Sequence, residues 1–98
     1  MQIFDLKNIE TGSEPAEVFY KDSSFNSRLI SLNKGEKIPP CEMDFNLIFI
    51  VIEGKVEITA DDQKSILTQN QVLISKPGVF SMEALLDVKI MGIQIQAN

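Results

Sequence analysis

The chain contains no histidine. That absence removes imidazole-ligated zinc, iron, manganese and copper sites, and every triad or dyad that needs an imidazole base. Tryptophan is missing too, and a single cysteine, Cys41, excludes an intramolecular disulfide and fits a reducing compartment. Nine Lys and Arg stand against fourteen Asp and Glu, for a net charge of −5 with no basic block. The clustered cationic footprint of a nucleic-acid or anionic-membrane binder is therefore lacking. No apolar run approaches the roughly 20 residues that cross a bilayer. The segment Met1 to Lys7 lacks the basic start and apolar stretch of a signal peptide. These absences predict a cytoplasmic protein with neither nucleic acid nor membrane as partner.

What is there is a chain of 98 residues, 44% hydrophobic, enough for one globular domain near the lower end of single-core size. Its longest apolar run is Leu47-Ile48-Phe49-Ile50-Val51-Ile52, closed by Glu53-Gly54. A half-exposed strand alternates apolar with polar residues, and this one does not, so both of its faces must be covered. β-Branched content, short length and the glycine stop favour a strand over a buried helical turn. The pattern predicts further short strands at 2–6, 16–21, 26–32, 55–60, 65–68, 72–75, 79–85 and 88–96. Residues 8–15 read as a surface loop, Gly54 as a hairpin and Lys76-Pro77-Gly78 as a tight turn. Pro39-Pro40 holds its segment extended without donors for a ladder. Over 88–96, Val88 and Ile90 fall on one face and Ile93 and Ile95 on the other, which predicts a bulge or bend at Gly92. The expected fold is an all-β sandwich or barrel. An immunoglobulin-like sandwich would want a Trp and paired Cys that this chain does not have.

Gly35, five residues, Cys41-x-Met43, three residues, Leu47, six residues, Gly54 has the spacing of the first cupin motif: Gly, His-x-His, Glu, Gly. Residues Asn70-Gln71-Val72-Leu73-Ile74-Ser75-Lys76-Pro77-Gly78-Val79-Phe80-Ser81 resemble the second, roughly Gly-Asp-x-x-x-x-Pro-x-Gly-x-x-His. About fifteen residues separate the halves, the short gap of small single-domain cupins. The sequence thus resembles a small RmlC-like cupin over about residues 26–96, with residues 1–25 adding N-terminal strands and a loop to a single domain, 1–98. The resemblance implies a double-stranded β-helix, or jelly-roll barrel. It places the family's metal ligands at positions 41, 43, 47 and 81, where this chain has Cys41, Met43, Leu47 and Ser81. A hard or borderline divalent ion needs imidazole or carboxylate donors. Metal-dependent activities are therefore not carried over, and no cofactor, metal or catalytic residue is expected.

By the same resemblance, Leu47, Phe49 and Val51 line the barrel and Ser81 looks into it. Glu83 shares a face with Ser81, and Arg28 shares one with Ile30 and Leu32. If both point inward, Arg28 and Glu83 hold each other or grip a ligand's carboxylate or hydroxyl; otherwise they reach solvent near a strand end. Cys41 and Met43, two apart on an extended segment, offer a soft pair for Cu(I), against the commoner role of core filler. The ligand-pocket candidates are Arg28, Cys41, Met43, Leu47, Phe49, Ser81 and Glu83. Ile48, Ile50 and Ile52 are left on the outer surface, where a second copy is the simplest cover, which predicts a homodimer.

Three functions are compatible with these residues. The first is a metal-free, non-catalytic barrel that binds a small molecule or serves as a dimeric sensing or scaffold subunit. The second is a metal-independent, isomerase- or epimerase-like enzyme using Glu83, Tyr20 or Cys41. The third is a structural interaction module whose barrel is filled by Phe49, Met43, Leu47 and Phe80. Missing histidines and apolar replacements favour the first or third over the second.

Overall fold

The apolar run makes up most of a nine-residue strand that is paired on both sides. In the computed structural model, which describes residues 1–9 and 15–97, nine strands form. They are β1 (Ala16–Lys21), β2 (Phe25–Leu32), β3 (Lys37–Met43), β4 (Phe45–Glu53), β5 (Lys55–Ala60), β6 (Gln63–Thr68), β7 (Val72–Ser75), β8 (Gly78–Ala84) and β9 (Val88–Gln96). They pair antiparallel in two sheets, ordered β1-β2-β9-β4-β7 and β3-β8-β5-β6. No helix occurs among the described residues.

The period of two decides what is inside. On β4, Leu47, Phe49 and Val51 are buried while Ile48, Ile50 and Ile52 are only partly so. Ile30 and Leu32 of β2 and Val88 and Ile90 of β9 join them on the inner face of the five-stranded sheet. Val56, Ile58, Leu67, Phe80, Met82 and Ala84 supply the facing layer from the four-stranded sheet. Full burial of each such aliphatic contributes about 1.5–3 kcal/mol. The β4–β5 hairpin turns at Gly54, whose φ is +92°. A Cβ there would run into the Asp87 carbonyl oxygen and lie 2.7 Å from the Val88 Cα, so only glycine fits.

Three expectations need correction. Residues 2–6 form no strand; the chain turns at 6–8, where the Asn8 N–H donates to the Asp5 carbonyl at 3.0 Å. The ninth strand is instead β3, which contains Pro39-Pro40. It sits at the edge of its sheet, where only one side of the strand must donate, so two prolines are tolerated. There is also no bulge at Gly92, because the ladders of β9 run through it in step, with Arg28↔Gly92 on β2 and Phe49↔Gly92 on β4. Val88, Ile90, Gly92 and Gln94 face inward, and Lys89, Met91, Ile93 and Ile95 face out. The outer face is apolar here in its own right, so nothing forces the strand to switch faces. The surface loop read over 8–15 lies, for residues 10–14, outside the described residues.

Candidate functional site: a cavity inside the barrel

Between the two sheets lies a cavity of about 280 Å³. Arg28 and Ile30 of β2, Phe49 of β4, and Gly92 and Gln94 of β9 border it on one side. Phe80 and Met82 of β8, and Ile38, Cys41 and Met43 of β3, border it on the other. Strand β3 reaches it from both ends because of a bulge. Ile38 pairs with Met82 and Cys41 with Phe80, so three steps on β3 match two on β8. Pro39-Pro40 occupies the extra position, and the phase of the strand flips there. Without that flip, Ile38 and Cys41 would face opposite ways. Gly92 makes room on the opposite wall, where a Cβ would stand 3.2 Å from Phe49 Cε1 and 3.3 Å from Arg28 Cγ.

The polar part of the wall is one connected group. Arg28 Nη2 donates to Gln94 Oε1 at 3.0 Å and to Asn26 Oδ1 at 3.4 Å. Asn26 Nδ2 donates to the same Gln94 oxygen at 3.1 Å, and Gln94 Nε2 lies 3.6 Å from Met43 Sδ. All of these partners are neutral. Arg28 Nε is buried and has no hydrogen-bond partner among the described residues. Burial pulls the guanidinium below its ordinary pKa, with the nearby Cys41 acting in the other direction. It still carries its charge at neutral pH. Arg28 and Gln94 also border a more open hollow of about 340 Å³ beside Ser23 and Ser24, so the group forms a wall between the two spaces.

The structure gathers Arg28, Cys41, Met43, Phe49 and Ser81 of the sequence candidates around the cavity. Leu47 is 1% exposed and packs in the core rather than on the cavity wall. Ser81 borders the cavity from a half-buried position: its ladder partner is Thr59, and alternation gives the fully buried inner positions of β8 to Phe80 and Met82. Glu83 follows Ser81 on the outer face, opposite Glu57 and Lys37. Its partner is the Lys37 ammonium at 3.8 Å, an exposed pair of small energetic weight. Arg28 and Glu83 therefore do not pair; Glu83 takes the other alternative open to it in the sequence and reaches solvent. The strand starts at Gly78, directly after Pro77, and the large apolar side chains of β8 fix its phase one residue away from the one expected.

Tyr20 is likewise outside the barrel. Its ring stacks on Phe25 at 5.3 Å, and Phe4 meets Phe19 edge-on at 5.0 Å beside it. Of the three side chains named for acid–base work, only Cys41 borders the cavity. Gln94, 6% exposed, is the site residue that the sequence did not single out. Phe49 and Phe80 meet edge-on at 6.3 Å, yet the cavity remains beside them.

At the positions where the resemblance implies metal ligands, the chain offers a thiol, a thioether, a buried leucine and an outward hydroxyl. That set does not fit a hard or borderline divalent ion. Among the described residues, no group of three or more His, Cys, Asp or Glu is gathered to hold a metal.

No protein-family model matches the sequence, and no curated protein matches it. Solved structures do match. A cupin superfamily protein from Desulfitobacterium hafniense is 20% identical, with a TM-score of 0.81 over 94% of this chain and 87% of that one. The cupin domain of Schizosaccharomyces pombe Cnp3 is 16% identical, with a TM-score of 0.85 over 96% and 73%. An uncharacterized protein with a double-stranded β-helix domain from Klebsiella pneumoniae is 16% identical, with a TM-score of 0.84 over 100% and 92%. At these identities the likeness is one of fold. The strand order, the facing antiparallel sheets and the matches agree: the chain has the cupin fold, a small double-stranded β-helix.

Proposed function

We propose that this protein is a metal-free, non-catalytic cupin-fold module that binds a small molecule in its barrel and acts as a homodimer. The observation that carries the reading is the cavity itself. It is apolar over most of its wall, has a small convergent polar group at Arg28 and Gln94, and holds no acid–base pair among the described residues. Mostly apolar walls with a few placed polar groups are the common make-up of ligand sites. At about 280 Å³ it suits a compact ligand. An intracellular setting belongs to the same reading, since Cys41 is a free, exposed thiol. No helix among the described residues is long and apolar enough to cross a membrane.

The dimer reading rests on the outer face of the five-stranded sheet. Ile48 pairs with Ile74 on one side and Ile93 on the other, and Ile50 with Val72 and Met91. Ile74 is 76% exposed and Val72 52%, so the row is a contiguous apolar strip rather than a scatter. Ile52 continues it at the end of β4. A second copy of the chain is the occupant this strip suits, because a two-fold pair buries the same isoleucines from both sides.

A thermal-shift screen of compact, partly apolar compounds tests the ligand reading, since binding to the folded state raises its stability. The expected result is stabilisation that disappears in Gly92→Leu, whose side chain occupies the cavity. A screen without any stabilising compound, or stabilisation that Gly92→Leu leaves intact, overturns it.

A further inference from the structure

We infer that the ligand of this cavity is a small carboxylate with an apolar or aromatic body, its charge held by Arg28, an assignment that rests on the small-molecule role proposed above. The guanidinium is a half-buried cation on a mostly apolar wall, and among the described residues no carboxylate lies within ion-pair distance of it. Its protein contacts are two neutral amide oxygens, at 3.0 and 3.4 Å, which orient the group without offsetting its charge. Its Nε proton has no acceptor among those residues. A buried cation lacking a counter-charge is costly, and an anionic oxygen brought by a ligand removes that cost with a charge-assisted hydrogen bond.

The rest of the wall limits what the anion is attached to. Ile30, Ile38, Met43, Phe49, Phe80 and Met82 offer no partner to a row of hydroxyls, so a sugar would leave its polar groups unpaired. Lys37 also borders the cavity, but it is exposed and already paired with Glu83 at 3.8 Å, so Arg28 is the cation left to a ligand and suits one negative charge better than the two of a phosphate monoester. An apolar cavity of about 150 Å³ accommodates benzene, so this larger one takes an acid of about ten non-hydrogen atoms. The chain's net charge of −5 repels anions in general, which makes any anion affinity a property of this site rather than of the surface.

The experiment compares phenylacetate with its neutral amide, phenylacetamide, and 4-methylpentanoate with 4-methylpentanamide. Each is titrated into the full chain by calorimetry and thermal shift at neutral pH. Both acids are expected to bind at least about tenfold more tightly than their amides. In Arg28→Gln, whose fold is checked by circular dichroism, acid binding is expected to fall to the level of the amide. The acid–amide comparison on the unaltered chain needs no variant, so a poorly folding Arg28→Gln leaves the test intact. Amides that bind as tightly as the acids, or acid binding that survives in a folded Arg28→Gln, overturn the carboxylate assignment and leave small-molecule binding standing. So does a screen in which only uncharged compounds stabilise the protein in a Gly92→Leu-sensitive way. If no compound of either kind binds, both assignments fall.

Discussion

The guanidinium of Arg28 donates to the side-chain oxygen of Gln94 at 3.0 Å, between neighbouring strands and across a sequence separation of 66. Gln94 accepts from Asn26 through the same oxygen and turns its amide toward Met43 sulfur, so one side chain positions the whole polar wall. Replacing it by leucine leaves Arg28 and Asn26 without that acceptor in a partly buried place. Gln94→Leu is expected to lower stability by about 1–3 kcal/mol in urea denaturation. Gln94→Glu keeps the acceptor and adds the missing negative charge, so it is expected to hold stability at neutral pH. Equal losses in the two variants would show that the amide network does not orient Arg28.

Gly92 faces the cavity from the middle of β9, between Phe49 and Arg28 on the two adjacent strands. Both neighbours lie within van der Waals reach of any Cβ placed there, so a larger side chain must push the Phe49 ring or the Arg28 stem aside. Gly92→Leu is expected to fold, at a cost of about 1–3 kcal/mol from overpacking. Leu47→Ala, in the solid core beside it, is expected to cost more, about 2–5 kcal/mol. Urea midpoints of the two variants measure the difference, and a Gly92→Leu as costly as Leu47→Ala would mean that the space beside Phe49 cannot take a side chain.

Most of the strands were legible in the sequence because composition and alternation act locally: β1, β5, β7 and β9 begin and end where the pattern predicts. What escaped was phase, which is settled by partners distant in sequence. Gln94 was hidden by a bulge assigned to Gly92; once β9 runs through without one, its inward place follows from Val88 and Ile90 by simple alternation. Strand β8 failed in the opposite sense. A motif spacing put Ser81 inside and left Glu83 open between the interior and solvent, while the packing of Phe80 and Met82 against the facing sheet sets the register. On β3, Pro39-Pro40 signalled an edge, but only the ladder to β8 shows that the prolines also reverse the strand's phase and so point Cys41 and Met43 toward Arg28. Ile3 and Phe4 have the side chains of a strand, but no ladder partner takes up residues 2–6; Phe4 instead packs on the aromatic rings of Phe19 and Tyr20.

The isoleucine strip makes its own prediction. If two copies meet there, the unaltered chain is expected at about twice its 11.0 kDa mass in size-exclusion chromatography with light scattering. Ile74→Lys places a charge on the most exposed member of the strip, and Ile48→Lys places one beside it. Each is expected to give a monomer, while Ile66→Lys, equally apolar but on the edge strand of the other sheet, is expected to leave the dimer intact. A monomer before any substitution removes the dimer.

Asp22 caps the turn between β1 and β2, and its pairing with Tyr20 is expected to show in stability at both ends of the pH scale. Its carboxylate accepts from the Ser24 N–H at 2.8 Å, the Tyr20 hydroxyl at 2.8 Å and the Phe25 N–H at 3.1 Å. These bonds, the Ser24 one foremost, hold its pKa below the ordinary 3.8. The Tyr20 hydroxyl's bond to the Asp22 carboxylate, aided by that adjacent negative charge, raises the Tyr20 phenol above its ordinary 10.0. A lowered acid contributes stability above its unfolded pKa and loses it as pH falls through the folded value. A raised phenol contributes below its unfolded pKa and loses it as pH rises through the folded one. The stability difference between the unaltered chain and Asp22→Asn is therefore expected to be flat from about pH 5 to 9 and to shrink beyond either limit. Tyr20 is the chain's one tyrosine, so an ultraviolet absorbance titration follows it alone. In Asp22→Asn its midpoint is expected to drop toward about 10; a midpoint that stays where it was would place the cause of the raised value in the aromatic cluster of Phe4 and Phe25 rather than in Asp22.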